Sequence, residues 1–324
     1  TIKILKGKFC LSQNCLIMQE KKNININFWF YALQILFDYE KSVMCGIMQP
    51  SLRIEDLKKY AIFLPNKDTQ QKIVEILDKN CGQIDELVRI EENEIEKLKE
   101  YKTSLITKVV TKGLDPNAKM KDSGTWQLDR IPTNWQLKKL LYYLEMPITD
   151  GPHETPTLRD DGIPFISAES IKNNSIDFSK MRGYISNEYN SIISKKYSPK
   201  TNDIFIIKSG ATTGNVAYVK DFVNFNIWSP LAVIRVNKYN YWKFIFYVLQ
   251  SIYFQQQIQL SWSFGTQQNL SMRVLETLKI ASPDIKVQHQ IVECLDKKCK
   301  EIDNLIKIKQ EKIEKMKEYK KSLI

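Results

Sequence analysis

The sequence predicts an α+β protein in which domains of mixed strands and helices are separated by two long antiparallel helices that form a coiled-coil-like spacer. Two observations carry this prediction. Residues 71–106 and 289–324 are identical at 21 of 36 aligned positions, at a constant offset of 218 and without a gap. Within each copy, apolar residues recur at alternating spacings of three and four, which is typical of paired helices. The offset is too long for a solenoid, so the repeat predicts two large units that each end in the same helix.

The two long helices are predicted over residues 67–112, named the central helix, and residues 284–324, named the distal helix. Gly113 follows the last apolar position of the central helix and is expected to end it. Acidic residues can accept hydrogen bonds from the free N–H groups of a first helical turn. We therefore predict Asp68 and Asp284 as the N-caps of the two helices.

Each long helix carries one apolar stripe, which is predicted to bury itself against the other helix. The stripe residues are Leu77, Ile84, Val88, Ile95, Leu98 and Leu105 in the central helix, and Leu295, Ile302, Ile306, Ile313, Met316 and Leu323 in the distal helix. Glu91 and Lys309 occupy equivalent positions of the two stripes with opposite charge, which favours a fixed register. The alternative is that each helix packs on a domain core or on another protein.

Similarity between the two copies continues upstream of the helices and then fades around Lys8 and Lys220. Nothing in the first copy corresponds to roughly residues 132–215 of the second. The chain also begins at Thr1 rather than Met. We therefore expect a fragment or truncated product whose first unit lacks its N-terminal half.

The domain plan follows from the repeat and from the turn-forming residues between its copies. The predicted segments are 1–66, the C-terminal part of a first domain; 67–112, the central helix; 113–131, a loop-like linker; 132–283, a complete second domain; and 284–324, the distal helix. Strands are predicted at Gly162–Ser167, Asp203–Lys208, Val216–Val219 and Leu231–Val236, and near Ile2–Leu5 and Leu16–Met18. Further helices are predicted over about 27–40 and about 242–259.

The charge balance favours a nucleic-acid partner. The chain carries a net charge of +11, and residues 132–283 hold 16 Lys and Arg against 11 Asp and Glu, a local excess of +5. Positive charge concentrated in a folded domain indicates a binding surface rather than a disordered basic arm. The alternative is charge that serves solubility alone.

Composition also predicts the compartment. No apolar run reaches the roughly 18 residues that a membrane span requires, so no membrane partner is expected. Of the six cysteines none forms a C-x-x-C pair, and Cys81 and Cys299 occupy equivalent helical positions. Reduced, core-facing thiols are typical of a cytoplasmic protein.

The motifs of common enzyme classes are missing from the sequence. Only two histidines occur, without H-E-x-x-H or paired C-x-x-C patterns, so no metal site is predicted. Residues 210–214 lack the Lys-Ser/Thr that completes a phosphate-binding P-loop, and no G-x-G-x-x-G turn occurs. In the turn-like segment 150–156, His153 is expected to order the loop rather than to act as an acid or base. The sequence thus predicts a non-catalytic chain that binds no cofactor.

Two polar loops of the second domain are the candidate DNA-contacting segments. Residues 208–215 follow a predicted strand and combine glycines with small hydroxyl and amide side chains, and residues 265–269 precede a short apolar stretch that is followed by Arg273. Asn and Gln can bond two atoms of adenine, whereas Arg and Lys suit guanine or phosphate. The predicted DNA-binding residues are Lys208, Ser209, Gly210, Thr212, Thr213, Asn215, Gln267, Gln268, Asn269, Arg273, Arg159, Lys195 and Lys196. The alternative is that both loops are ordinary turns.

Several segments resemble the specificity subunit of type I restriction-modification systems. Residues 70–74, QQKIV, and residues 98–106, LKEYKTSLI, are similar to the central region of that family. Residues 111–116, TKGLDP, followed by 131–135, IPTNW, resemble its linker and the entrance to its second domain. The resemblance covers essentially the whole chain, and the repeated helix with the linker carries most of its specificity.

This resemblance implies a non-catalytic DNA-recognition subunit. Family members carry two target-recognition domains, each of which reads one half of a split site in double-stranded DNA, and their long helices set the gap. The helix stripes would also dock modification subunits, which bind S-adenosylmethionine and methylate adenine. Restriction subunits would join them and cleave DNA with ATP and Mg²⁺. Residues 1–66 match only the latter part of a first recognition domain.

Two other functions compete with this interpretation. A coiled-coil scaffold would use the same helices and basic domains to bind proteins without sequence-specific DNA binding. The recognition half of a fused restriction-methylation enzyme would come with a catalytic domain, and none is in view in this sequence. Salt-sensitive, sequence-selective DNA binding separates the first alternative from a specificity subunit.

Overall fold

The computed structural model describes residues 2–8, 10, 15, 17–18, 24–43, 61–221, 224–261 and 269–324. It forms two compact units. The first comprises Thr1–Lys97 with Asn304–Ile324, and the second comprises Leu98–Asp303. Each unit therefore contains one segment of both long helices.

The described residues form both helices and strands, as an α+β fold requires. The helices are α1 (Ile26–Val43), α2 (Lys67–Lys112), α3 (Asn187–Ile193), α4 (Trp242–Gln250), α5 (Ile252–Leu260), α6 (Met272–Thr277) and α7 (Ile285–Leu323). The strands are β1 (Met120–Thr125), β2 (Leu128–Pro132), β3 (Gln136–Lys139), β4 (Thr149–Asp150), β5 (Ile163–Ile166), β6 (Ile171–Lys172), β7 (Ser175–Ile176), β8 (Gly183–Ile185), β9 (Ile204–Ile207), β10 (Val216–Tyr218), β11 (Asn226–Ile227), β12 (Leu231–Ile234) and β13 (Lys279–Ser282). Helix α2 is the central helix, and helix α7 is the distal helix.

Three predictions of secondary structure were wrong. The segment 113–131 is not a loop throughout, because β1 and β2 pair as an antiparallel hairpin with Met120 opposite Pro132. The helix predicted over 242–259 is two helices, since Ser251 has extended backbone and its hydroxyl caps α5 by accepting from the N–H of Phe254. Residues 2–5 form no strand, and of the strand predicted near 16–18 only residues 17 and 18 are described, without regular structure. The four strands predicted in the second domain are confirmed.

The N-caps of the long helices are equivalent positions of the repeat. Asn66 Oδ1 accepts a hydrogen bond from the N–H of Thr69 at 2.9 Å, and Asp284 Oδ1 accepts one from the N–H of Val287 at 3.1 Å. The predicted cap Asp68 was wrong, because it lies in the first helical turn. The offset of 218 relates Asp284 to Asn66, so the repeat combined with the predicted cap Asp284 indicates Asn66 as the N-cap of the central helix.

The central and distal helices run antiparallel. In the first unit, Lys320 Nζ lies 2.6 Å from Asp85 Oδ1 and Lys309 Nζ lies 2.9 Å from Glu91 Oε2. In the second unit, Lys102 Nζ lies 2.7 Å from Asp303 Oδ1. Rising residue numbers on one helix thus meet falling numbers on the other. The predicted stripe residues of both helices are buried or half-buried along their whole length.

The long helices are also anchored to shorter helices by repeat-equivalent contacts. In the first unit the hydroxyl of Tyr31 on α1 donates to Asp78 at 2.6 Å. In the second unit the hydroxyl of Tyr247 on α4 donates to Asp296 at 2.7 Å. Cys81 and Cys299 lie beside these pairs, and burial raises the pKa of both thiols, so they remain protonated at neutral pH.

The second unit is built on an antiparallel sheet with strand order β10-β9-β12-β4. Strand β9 is buried on both faces, so its side chains alternate between two cores. Ile204 and Ile206 face a core that contains α4, α5 and the last turns of the central helix, including Val110. Phe205 and Ile207 face a smaller core on the other side. The sheet thereby fixes the loops that leave its strand ends.

A second, three-stranded sheet has the order β11-β5-β8, in which β11 and β5 are parallel.

None of the helices in the described parts of the chain combines the length and the hydrophobicity of a membrane span. The same residues contain no group of three or more His, Cys, Asp or Glu side chains placed to hold a metal ion.

Candidate nucleic-acid interface

The loop 208–215 connects the ends of β9 and β10 as a compact turn. The N–H of Gly214 donates to Ile207 O at 2.8 Å, and the hydroxyl of Thr213 donates to Gly210 O at 2.7 Å. Gly210 has a φ of 101°, a left-handed conformation that residues with a Cβ rarely adopt. These bonds hold the loop while the side chains of Thr212 and Asn215 remain exposed.

The structure joins this loop to the second predicted segment. Ser209 forms an isolated antiparallel bridge with Asn269, and the N–H of Leu270 donates to Lys208 O at 2.8 Å. Two loops separated by more than 50 residues in sequence therefore present one surface. Asn269 and Arg273 are exposed there. Gln267 and Gln268, predicted on the same segment, lie outside the described residues.

A buried carboxylate lies beside the paired loops. Asp150, at the end of β4, is only 1% exposed and has three basic neighbours. Its oxygens lie 2.6 Å from Lys196 Nζ, 3.1 Å from Lys208 Nζ and 3.0 Å from His153 Nε2. Burial alone would raise the pKa of Asp150, but the hydrogen bonds and charges of Lys196 and Lys208 hold it below its usual range. Asp150 is therefore ionised at neutral pH and fixes the three basic side chains.

The three basic side chains differ in their access to solvent. The side chain of Lys208 is 12% exposed, whereas those of Lys196 and His153 are 54% and 70% exposed. Lys208 therefore acts mainly in positioning, and Lys196 presents the accessible positive charge. We name Asp150, His153, Lys196 and Lys208 the Asp150 cluster. One carboxylate against two ammonium groups leaves this cluster positively charged when His153 is neutral.

Gly151 fixes the backbone next to this cluster. A Cβ at this position would lie 2.1 Å from the carbonyl oxygen of Ile227, far inside van der Waals contact. Any larger residue would push β4 away from the 226–228 segment and would move Asp150 with it. A shallow cavity of about 60 Å³ lies here, lined by Asp150, Gly151, Pro152, Ile193, Lys196, Tyr197 and Asn226.

The other predicted basic residues, Lys195 and Arg159, are exposed and lie outside the Asp150 cluster. Lys195 is exposed next to Lys196, directly after α3. Arg159 is also exposed, and its backbone bridges Tyr184 at the edge of the three-stranded sheet. Among the described contacts, none joins the Arg159 side chain to the Asp150 cluster.

Two residues of this surface were missed by the sequence analysis. Asp150 was noted only as part of a turn, because its role depends on burial and on lysines from two distant segments. Trp228 was not noted, and the guanidinium of Arg182 lies 4.4 Å from its ring centroid while its indole N–H donates to Glu154 O at 3.2 Å. No local pattern in the sequence distinguishes Trp228 from a core tryptophan.

The long helices present a separate exposed surface. Leu87, Ile90 and Tyr101 of the central helix are exposed, and so are their repeat equivalents Leu305, Ile308 and Tyr319 of the distal helix. Spacings of three and eleven residues place each trio on one helical face. We name these the two exposed stripes. The predicted docking residues are buried or half-buried, whereas the six residues of the exposed stripes are open to solvent.

The chain belongs to the family of type I restriction modification DNA specificity domains, which matches residues 1–100 and 152–317. It is similar to the type I restriction enzyme MjaVIII specificity subunit of Methanocaldococcus jannaschii, with 24% identity over 99% of this chain and 74% of that protein. It is also 24% identical to the EcoBI specificity subunit of Escherichia coli, over 86% of this chain and 60% of that protein.

The fold is similar to that of a chain in a solved structure, which was described for complex assembly and conformational transition of the type I R-M system. That chain superposes with a TM-score of 0.66 at 17% identity, covering 95% of this chain and 72% of its own length. The resemblance seen in the sequence is therefore confirmed at the level of family and fold.

Proposed function

We propose that this chain selects the DNA sequence for a type I restriction-modification complex and leaves the chemistry to other subunits. The observation that carries the proposal is the surface formed by loop 208–215, Asn269 and Arg273 at the start of α6, beside the Asp150 cluster. It combines exposed amide, hydroxyl and guanidinium groups with a positive charge. Amide, hydroxyl and guanidinium groups distinguish base edges, and positively charged groups bind phosphates.

Within this surface, the proposed roles differ by chemistry. Asn269 and Asn215 suit the two hydrogen-bonding atoms of adenine in the major groove, and Arg273 suits guanine or phosphate. Lys195 and Lys196 supply phosphate contacts, which position the protein without carrying sequence information. A coiled-coil scaffold is not favoured, because the chain belongs to a family of DNA specificity domains.

The long helices are proposed to set the separation between two half-sites. The central helix has 46 residues and therefore a length of about 70 Å at 1.5 Å per residue. Residues 132–283 would read one half-site, and residues 1–66 would contribute to reading the other. The protein would act on double-stranded DNA in the cytoplasm.

The proposed protein partners are modification subunits, which supply S-adenosylmethionine and methylate adenine, and restriction subunits, which use ATP and Mg²⁺. The two exposed stripes are the proposed docking surfaces for the modification subunits. Because the stripes are repeat-equivalent, they would take two copies of the same partner in equivalent ways. Exposed apolar side chains on a polar helix are typical of such sites.

Methylation mapping tests the recognition function. The chain is co-expressed with a modification subunit in a host without DNA methylation, and methyladenine is located across the genome. A split motif with a fixed gap supports the proposal. A stable complex without any methylation contradicts it.

Arg273→Ala and Asn269→Ala test the proposed interface. Each is expected to weaken specific DNA binding by about 10-fold to 100-fold, corresponding to roughly 1–3 kcal/mol per lost base contact. Arg130→Ala, an exposed arginine whose Nη2 donates to Met120 O in the β1–β2 hairpin, is the matched control. An equal loss in the control would remove the assignment.

Leu87→Asp with Leu305→Asp tests the docking surfaces. This double variant adds a carboxylate to each exposed stripe and is expected to abolish binding of the modification subunits without lowering thermal stability. Asn93→Asp with Gln310→Asp adds the same charge at exposed positions outside the stripes and is the control. Full-strength complex formation by the Leu87/Leu305 variant, measured by co-purification, would rule out these surfaces.

A further inference from the structure

The centre of the long-helix pair contains four charged residues whose signs divide by helix. Lys309 Nζ lies 2.9 Å from Glu91 Oε2 and also binds Glu94. Lys312 Nζ lies 2.5 Å from Glu91 Oε1. The central helix thus supplies two glutamates and the distal helix two lysines. We name these four residues the central quartet.

The repeat gives this arrangement an internal symmetry. The offset of 218 relates Glu91 to Lys309 and Glu94 to Lys312. The Glu91–Lys309 contact therefore joins a position to its own repeat equivalent, as residues beside a two-fold axis do. Exchanging the two copies converts the Glu91–Lys312 contact into the Lys309–Glu94 contact.

The flanking ion pairs do not distinguish one helix from the other. Asp85 and Lys102 on the central helix correspond to Asp303 and Lys320 on the distal helix, at the same offset. Each helix therefore carries one acid and one base at these positions. Two central helices placed antiparallel would form both pairs as well as the observed combination does.

The apolar stripes do not distinguish the helices either. Leu77, Ile84 and Ile95 correspond to Leu295, Ile302 and Ile313, which are the same residue types. By contrast, two central helices would bring four glutamates together at the centre, and two distal helices would bring four lysines together. Within the described part of the interface, the signs of the central quartet separate the correct pairing from both incorrect ones.

We propose that the central quartet directs the central helix to the distal helix of its own chain and rejects the central helix of a second copy. Such rejection matters during synthesis, because the central helix ends at Lys112 and the distal helix begins only at Ile285. At roughly 5–20 residues per second, the central helix is complete for about 9–35 seconds before its partner begins to emerge. Helices from neighbouring chains meet in that interval, and repeat proteins are prone to misassembly of this kind.

The position of Glu91 strengthens the effect of the quartet. Glu91 is only 7% exposed, and hydrogen bonds from Lys312 and then Lys309 hold the pKa of its carboxyl below the usual range. A like-charge encounter at this site is therefore less screened by water than one on an open surface. Repulsion of this kind selects partners by opposing the wrong one.

Charge reversal in the full-length chain tests the proposal. Glu91→Lys with Glu94→Lys gives a chain with lysines on both helices, and Lys309→Glu with Lys312→Glu gives a chain with glutamates on both. Each double variant is expected to lower the melting temperature of the first unit, which contains the central quartet, by roughly 5 °C or more. Combining all four changes restores opposite signs and is expected to recover the wild-type value within about 2 °C. If the quadruple variant loses the sum of both shifts, the proposal is wrong.

Partner choice is measured by co-expression of two chains with different tags. The lysine-only and glutamate-only chains are expected to co-purify, since exchange of helices between them restores every opposite-charge contact. Neither is expected to co-purify with a second copy of itself, and wild-type chains are expected to remain separate. Absence of co-purification in the complementary mixture would overturn the assignment of partner choice to the quartet.

A charge-matched control tests whether simple attraction between oppositely charged proteins explains co-purification. One control chain carries Glu75→Lys with Glu100→Lys, and the other carries Lys300→Glu with Lys315→Glu. Their changes in net charge equal those of the quartet variants but lie at exposed positions of the same helices. These two chains are expected to stay separate and to keep wild-type stability. Their co-purification to the same extent as the quartet variants would overturn the proposal.

Discussion

Substitution of Asp150 by asparagine separates the positioning of basic side chains from the charge that they provide. The carboxylate is 1% exposed and holds Lys208 at 3.1 Å, Lys196 at 2.6 Å and His153 at 3.0 Å. Asparagine keeps the size and loses the charge. The partners would then lose their common counter-ion, and the proposed interface would gain one net positive charge.

The magnitude follows from the exposure of the three partners. Breaking a buried ion pair by removing one partner costs about 3–5 kcal/mol. Here only Lys208 is largely buried, while Lys196 and His153 can be solvated by water, so we expect a loss of about 2–3 kcal/mol. At roughly 2–4 °C per kcal/mol for a unit of this size, the melting temperature falls by about 4–12 °C.

The effect on DNA binding has two parts with opposite signs. Non-specific affinity rises at low salt, and the slope of log K against log salt steepens by about one phosphate contact. Specific affinity falls, because Lys208 and the loop that follows it lose their anchor. The ratio of specific to non-specific binding is therefore expected to drop at least 10-fold when measured by fluorescence anisotropy on matched duplexes.

Asp203→Asn provides the control for loss of stability. Asp203 is equally buried in the same unit and accepts from Arg235 Nε and from the hydroxyl of Tyr197, both at 2.7 Å. None of its described partners belongs to the Asp150 cluster. This variant is expected to lose similar stability while its specificity ratio stays unchanged below its melting temperature. If Asp150→Asn and Asp203→Asn show the same salt slope and the same specificity ratio, the Asp150 cluster has no role in DNA binding.

Three further perturbations have defined outcomes. Gly151→Ala places a Cβ against Ile227 O and is expected to destabilise the second unit by about 2–3 kcal/mol in urea unfolding; an unchanged midpoint would contradict the close approach. Leu98→Asp with Met316→Asp puts carboxylates at half-buried, repeat-equivalent positions and is expected to disrupt helix pairing and subunit docking together, so a normal complex in co-purification would refute the stripe assignment. The pKa of Asp150 is lowered in the folded state, so its stabilisation is complete above its ordinary value near 3.8 and is lost as pH falls through the lowered pKa; Asp150→Asn should flatten this part of an acid-unfolding curve, and an unchanged curve would contradict the ion pairing.

The sequence by itself determined the features that depend on local periodicity and on the repeat. The spacing of Leu77, Ile84 and Ile95 sufficed to predict a long helix with one buried stripe, because side-chain direction in a helix follows from residue number. Short apolar, β-branched runs bounded by turn residues located strands such as β9 and β12. The repeat also predicted that the long helices pair antiparallel. The two copies carry the N-caps Asn66 and Asp284 at equivalent positions, whereas local pattern alone favoured Asp68.

Only the tertiary structure decided which side chains meet. Ser209 lies opposite Asn269, and Asp150 forms ion pairs with Lys196, which follows α3, and with Lys208, which follows β9. No spacing rule connects these segments, because their proximity depends on how the sheet orders its strands. The break at Ser251 was equally hidden, since the apolar pattern continues across it and only the backbone conformation separates the two helices.

The central quartet shows both contributions in one place. The sequence determined that Glu91 and Lys309 have opposite charge at equivalent positions. The structure added Glu94 and Lys312 and showed that all four meet at the centre of the helix pair. A sequence specifies charges along a helix, but the crossing point and register of two helices arise from packing over their whole length, and these decide which charges become partners.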